Sequence, residues 1–267
     1  MTMRMRIVTA AAAAMFLIPR IEGGQAQYHV EAIAGDVKII SGGVTRHAAV
    51  DQALIGGDVI MTGGSSMADI SWGDRGLVRV EEKTRVAVSA LAKKADDPDL
   101  DMSAGSIMIM LSNLVRGETY RVKTHTQIAS VRGTSFRVSA DDDLSRVDVL
   151  TGSIMVHPVL AGAVIREIGE AVTEDHSVSM NRSLVKEIVA RRVKISVLML
   201  QKRDLDGLAD RFDSMQKSRG FKRLNARIRN EIGERIKRHR ERLRDGGKRR
   251  PGRKPQDGGM RRPRPGR

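Results

Sequence analysis

The sequence is 267 residues long, 40% hydrophobic and 30% charged, with 3% aromatic residues and no cysteine. Such a chain can bury a core of Val, Ile, Leu, Ala and Met, whereas disulfides, thiolate zinc sites, a cysteine nucleophile and a lipidated N-terminal cysteine are excluded. The net charge of +15 is unevenly placed: 28 of the 47 Lys and Arg but 10 of the 32 Asp and Glu follow Ser183, giving −3 for residues 1–183 and +18 for residues 184–267.

Arg4 and Arg6 precede an uncharged run from Ile7 to Ile18, and Gly24-Gln25-Ala26 places small residues before a cut. This order predicts a secretory signal peptide over residues 1–26, hence an exported, periplasmic or envelope-associated protein. As a helix the run would span roughly 18 Å, short of the roughly 30 Å hydrocarbon core. The apolar stretch from Leu184 to Leu200 is interrupted by Lys186, Glu187, Arg191, Arg192 and Lys194. Several charges at membrane depth rule out a span there, so none is expected in the mature chain.

Residues 27–182 are expected to form a β domain. Val37 and Ile39, Ile70 and Trp72, Val78 and Val80, Val86 and Val88, Tyr120 and Val122, Phe136 and Val138, and Val147 and Val149 each alternate with polar residues. A period of two means one buried and one wet face, as in short antiparallel strands packed into a sandwich or coiled as a β-solenoid. Turn chemistry separates them at Ser41-Gly42-Gly43, Gly56-Gly57-Asp58, Gly63-Gly64-Ser65, Gly73-Asp74-Arg75-Gly76 and Asp141-Asp142-Asp143. A small residue and a glycine precede an alternating strand at Ala34-Gly35-Asp36-Val37, Ala104-Gly105-Ser106-Ile107 and Thr151-Gly152-Ser153-Ile154, suggesting related layers with a sharp entry turn.

Residues 183–244 change period and predict a basic, amphipathic helical extension. Leu184, Ile188, Ile195, Leu198, Leu205, Leu208, Phe212 and Met215 fall at helical intervals, as do Phe221, Leu224, Ile228, Ile232 and Ile236. Residues 245–267 are dominated by Gly, Pro and Arg and are expected to be disordered.

Val131-Arg132-Gly133-Thr134-Ser135-Phe136-Arg137-Val138 closely matches Val-Arg-Gly-Thr-x-Phe-x-Val of the FecR family, the periplasmic domain of iron-dicitrate-type signalling regulators. Gly57-Asp58-Val59-Ile60-Met61-Thr62 and Val147-Asp148-Val149-Leu150-Thr151-Gly152 also resemble that family, so the resemblance covers residues 30–159, about half of the chain. It implies a β domain that takes part in envelope signalling. Within it Val131, Arg132, Gly133, Thr134, Phe136, Val138, Gly57 and Asp58 are expected to be structural: glycine at bends, Thr at strand entry, Phe136 and Val138 in the core. For Arg132 a contact to an anion or partner competes with the commoner role of satisfying turn carbonyls. Sigma-regulating members carry a cytoplasmic segment and a membrane span before this domain, which a signal peptide would replace here. Where the family tends to have Thr-Pro-Thr, this chain has Thr124-His125-Thr126.

No enzymatic machinery is expected. The six histidines stand apart in sequence from metal-ligand partners, and neither a phosphate loop nor a Gly-x-Ser-x-Gly elbow occurs. Asp97-Pro98-Asp99-Leu100-Asp101 starts like a calcium loop, but Met102 and Met108 occupy the positions of its glycine and its bidentate Glu. Met108 and Met110 share a strand face, where core packing is commoner than copper binding. No cofactor and no metal are expected. The expected role is a binding or scaffolding module, with signal transduction as the alternative. Lys237, Arg238, Arg242, Lys248, Arg249, Arg250, Arg261, Arg262 and Arg264 would dock on an anionic envelope polymer, a lipid or an acidic protein, in a salt-sensitive way. Nucleic acid fits the charge but not the export signal.

Overall fold

The computed structural model describes residues 28–89, 99–112, 114 and 118–244. The stretch expected to be a signal peptide, part of the calcium-like loop and the tail from Asp245 onward lie outside these residues. The described chain is mainly β, and the alternation resolves as a two-sheet sandwich.

The first sheet runs β4 (Ala53–Leu54), β1 (Tyr28–Ala34), β6 (Met67–Trp72), β7 (Gly76–Val80), β9 (Leu100–Leu111), β12 (Ser135–Ala140), β13 (Leu144–Thr151), β17 (His176–Asn181) and β18 (Val197–Met199). The second runs β3 (Val44–His47), β2 (Val37–Ser41), β5 (Val59–Thr62), β8 (Arg85–Val88), the start of β9, β10 (Tyr120–Lys123), β11 (Gln127–Val131), β14 (Ser153–Leu160) and β16 (Glu170–Thr173). β15 (Ala163–Val164) folds back on the end of β14. Every pairing is antiparallel except β9 with β10, where Val122 faces Leu100. β9 belongs to both sheets and turns between them at Gly105, whose φ is +95°.

Between the sheets lies the main core. Ile70, Val78, Ile109, Phe136 and Val149 from one side meet Ile39, Ile60, Val86, Val122 and Val156 from the other. The hairpin of β2 and β3 turns at Gly42-Gly43, both with positive φ, the backbone that matches strand twist in a two-residue loop. Helix α1 (Arg182–Arg191) packs Val185 and Ile188 into the same core, its N-terminus capped by the Asn181 side chain accepting from Leu184 N at 2.7 Å.

Ile195 and Leu198 do not continue that helix. Arg192 is left-handed and ends it, and Val197–Met199 forms β18 against β17. The stretch from Val193 to Leu200 satisfies a period of two as well as a helical one, and the open edge of β17 decides in favour of the strand. Helices α2 (Lys202–Gln216), α3 (Arg219–Arg223) and α4 (Ala226–Arg244) then lie on the outer face of the first sheet. Leu205, Leu208, Phe212, Met215, Phe221, Ile232 and Ile236 form with Leu77, Met108, Met110 and Leu150 a second apolar core. The cationic helices therefore share a core with the β domain, and that sheet is buried on both faces. Among the described residues, no helix is long and apolar enough to cross a membrane.

Candidate interaction surface

The Val131–Val138 motif builds a corner of the sandwich. Gly133 has φ +68°, and the backbone then enters β12 with Phe136 and Val138 in the core. Thr134 is fully buried, its hydroxyl donating to Ser153 O at 3.2 Å while its carbonyl accepts from Leu111 N at 3.1 Å. The glycines of the three recurring units sit against such hydroxyls: a Cβ on Gly35 would come within 2.4 Å of Ser66 Oγ, on Gly105 within 2.2 Å of Thr84 Oγ1, and on Gly152 within 3.1 Å of Thr134 Oγ1. Asp36 N and Ser106 N donate to the first two hydroxyls at 2.9 Å. These corners fix where each strand enters its sheet. Asp58 has a comparable role in the turn before β5, its buried carboxylate accepting from Ile55 N at 2.9 Å beside Gly57 at φ +95°.

The motif corner is held from outside by α4. Arg235 donates from Nη1 to Gly133 O at 3.0 Å and from Nη2 to Leu111 O. Burial pushes this guanidinium below its usual range. Arg132, the residue for which a partner contact is conceivable, is exposed next to it.

The outer face of the first sheet carries a row of facing residues across successive strands: Asp69, Arg79, Met108, Arg137, Asp148, Ser177 and Leu198. Arg79 grips Asp69 with two hydrogen bonds of 2.7 and 3.0 Å. Arg137 Nη2 donates to Asp148 Oδ2 at 2.7 Å, and Arg146 Nε donates to Asp148 Oδ1 at 2.6 Å. Between this row and α2 opens a cavity of about 810 Å³, lined among others by Arg79, Glu81, Ser106, Arg137, Ser139 and Arg211. A smaller one of about 270 Å³ continues past Arg137 to Arg146, Leu200 and Arg203. No histidine lines either cavity, so their serine hydroxyls lack the adjacent imidazole that activates a nucleophile. Arg79, Arg137, Arg146 and Arg211 already pair with carboxylates, so the region suits polar recognition.

Residues 58–155 match the family model described as FecR protein. This stretch is a FecR domain. It contains Asp58 and the whole Val131–Val138 motif; β1, β18 and α1–α4 lie outside it. No curated protein matches the chain. Two crystal structures of a proposed anti-sigma factor from Parabacteroides distasonis ATCC 8503, at 1.65 and 2.50 Å resolution, are similar at 17% and 18% identity and a TM-score of 0.41. Each match covers 54% of this chain and 60% of that one.

Sequence reasoning singled out the FecR motif residues, which meet at the corners, and the basic residues of α4, which do not act as one group. Lys237 and Arg238 are exposed, whereas Arg242 Nη2 donates to Glu174 Oε1 at 2.7 Å. Lys248, Arg249, Arg250, Arg261, Arg262 and Arg264 lie outside the described residues. A cluster that the sequence reading missed lies beside Arg242. The fully buried His239 places Nε2 3.2 Å from Asp175 Oδ1 and Nδ1 3.6 Å from Glu174 Oε1, fastening α4 to the turn between β16 and β17. Burial pushes the Glu174 carboxyl up, but His239 and Arg242 together outweigh it and hold it below its usual range. At Asp175 burial prevails and the carboxyl is raised. These three residues could offer ligand atoms to a metal, and Glu174 among them is already held by Arg242. Nothing local in the sequence marks the cluster, since His239 is brought to the turn only by the packing of α4. Met108 and Met110, considered as soft ligands, are buried under α2–α4 as packing residues.

Proposed function

We propose that this chain is a non-enzymatic signalling regulator of the cell envelope, in which the FecR domain receives a partner and the packed helices stabilise the receiving surface. The observation that carries the reading is the FecR match over residues 58–155, with its motif built into a corner that α4 braces through Arg235. The N-terminal export pattern supports a periplasmic location. To test this, the tagged full chain is cross-linked in cells and purified from envelope extracts, and transcripts are compared with a strain lacking it. Recovery of an outer-membrane receptor or a sigma-regulating protein, with altered transcription of a receptor-linked operon, is the expected result. Absence of both overturns the proposal.

The charge asymmetry favours a second contact, electrostatic docking of the segment after Arg244 on anionic lipid or wall polymer. Because α2–α4 belong to a core, the informative truncation begins at Asp245. Removing residues 245–267 should abolish salt-sensitive adhesion to envelope fractions; unchanged adhesion refutes the docking role.

A further inference from the structure

β18 ends the first sheet, and β17 is its one partner among the described residues. Antiparallel neighbours alternate between hydrogen-bonded and non-bonded pairs. Leu200 N donates to Asp175 O at 2.8 Å, so Leu198, two residues back, is the next position bonded to β17. The N–H and C=O groups of Val197 and Met199 therefore point away from β17, toward the open edge. Natural sheets blunt such edges with charges, prolines or bulges, because an unpaired row is a template for another strand. Here the edge has none of these within the strand itself, and its side chains are apolar. Leu198 is 66% and Met199 63% exposed, the two highest values among the described large hydrophobic residues.

The flanks define what fits. Arg191, Arg192 and Lys194 precede the strand, Lys202 and Arg203 follow it, and no acidic residue occurs from Ile188 to Arg203. Among the described residues only Arg191 of these is in an ion pair, with Glu187 at 3.1 Å. A second copy of this chain would set these cations against their own equivalents. An acidic strand would meet them with opposite charge and gain both backbone bonds and apolar contacts.

We propose that β18 is a docking edge for an extended, acidic, apolar-alternating segment of a partner protein, which adds as a further strand of the first sheet. This rests on the regulator reading for the existence of a partner and names that partner's chemistry. The edge is joined to the FecR domain through β17 and β13, so a strand added there extends the sheet that contains Phe136 and Val138.

The test uses the purified full chain and a nine-residue peptide alternating Glu with Val, beside a counterpart with Lys in place of Glu, followed by amide NMR up to millimolar peptide. The acidic peptide should shift the Val197 and Met199 amides and bind at least tenfold more tightly than the Lys peptide, the difference shrinking in high salt. Met199→Pro removes an N–H that faces solvent, a position where sheets tolerate proline, and should weaken binding at least tenfold with an unchanged thermal melt. Lys194→Glu combined with Arg203→Glu, both exposed, should do the same without touching the backbone. Equal affinity for the two peptides, shifts confined to another surface, or full binding by both variants overturns the proposal. So does a concentration-dependent dimer that Met199→Pro disperses, which would assign the edge to a second copy. The peptide titration reads β18 alone, and cross-linking with transcription reads the regulator role, so either can fail while the other holds.

Discussion

The Asp69–Arg79 pair tests whether the C-terminal helices seal the sheet. Its side chains are 0% and 8% exposed, and α3 closes over it so tightly that a Cβ on Gly220 would come within 2.8 Å of Asp69 Cβ. Removing one member leaves the other charge buried without compensation, which costs about 3–5 kcal/mol. Asp69→Val and Arg79→Met should each destabilise by that amount, lowering Tm by about 6–20 °C at the 2–4 °C per kcal/mol expected for a chain of this size. Asp69→Val with Arg79→Met removes both charges. That double variant should lie within about 1 kcal/mol of the parent, because buried ion pairs are often replaceable by apolar groups at little cost. Urea unfolding of the four proteins, read by circular dichroism, completes the cycle. Single variants within about 1 kcal/mol of the parent, or strictly additive effects, would mean that water reaches the pair and that α2 and α3 do not cover this face.

Two further perturbations test other parts of the frame. Gly105→Ala should be among the most damaging single changes, because the residue needs φ +95° and its Cβ would overlap Thr84 at 2.2–2.6 Å. A loss above about 3 kcal/mol is expected from combined overpacking and strain, and a melt unchanged by the substitution would refute the corner geometry. Glu174 is held below its ordinary carboxyl range, so its contribution is present above the unfolded value of about 4.5 and is lost as pH falls through the lower folded one. Glu174→Gln should therefore lower Tm at neutral pH and converge on the parent in acid; a gap constant from pH 3 to 7 would contradict the link to His239 and Arg242.

Much of the sandwich is legible in the sequence, because alternation at Val78–Val80, Val86–Val88 and Phe136–Val138 directly states which side chains face inward. The FecR motif is equally legible, since Gly133 and Thr134 act through local backbone geometry. The position of the helices is not. The stripe of Leu205, Leu208, Phe212 and Met215 declares a buried face but not its partner. The clue was available in Ile107-Met108-Ile109-Met110-Leu111, a run without alternation, which marks a strand buried on both faces. Asp69, Arg79, Arg137 and Asp148 read as members of a wet face. Their registry across neighbouring strands, and the cover above them, exist only after folding. β18 was obscured because two periods fit the same residues and a tertiary edge chose between them.

The chain also carries a mechanical implication in β9. Since Leu100–Leu111 supplies hydrogen bonds to both sheets, neither can detach while that strand stays in place. Unfolding should thus begin at outlying strands such as β3 and converge on Ile107–Leu111, whose amides would be the last to exchange with deuterated solvent. A tug on one layer would be felt in the other through this shared strand.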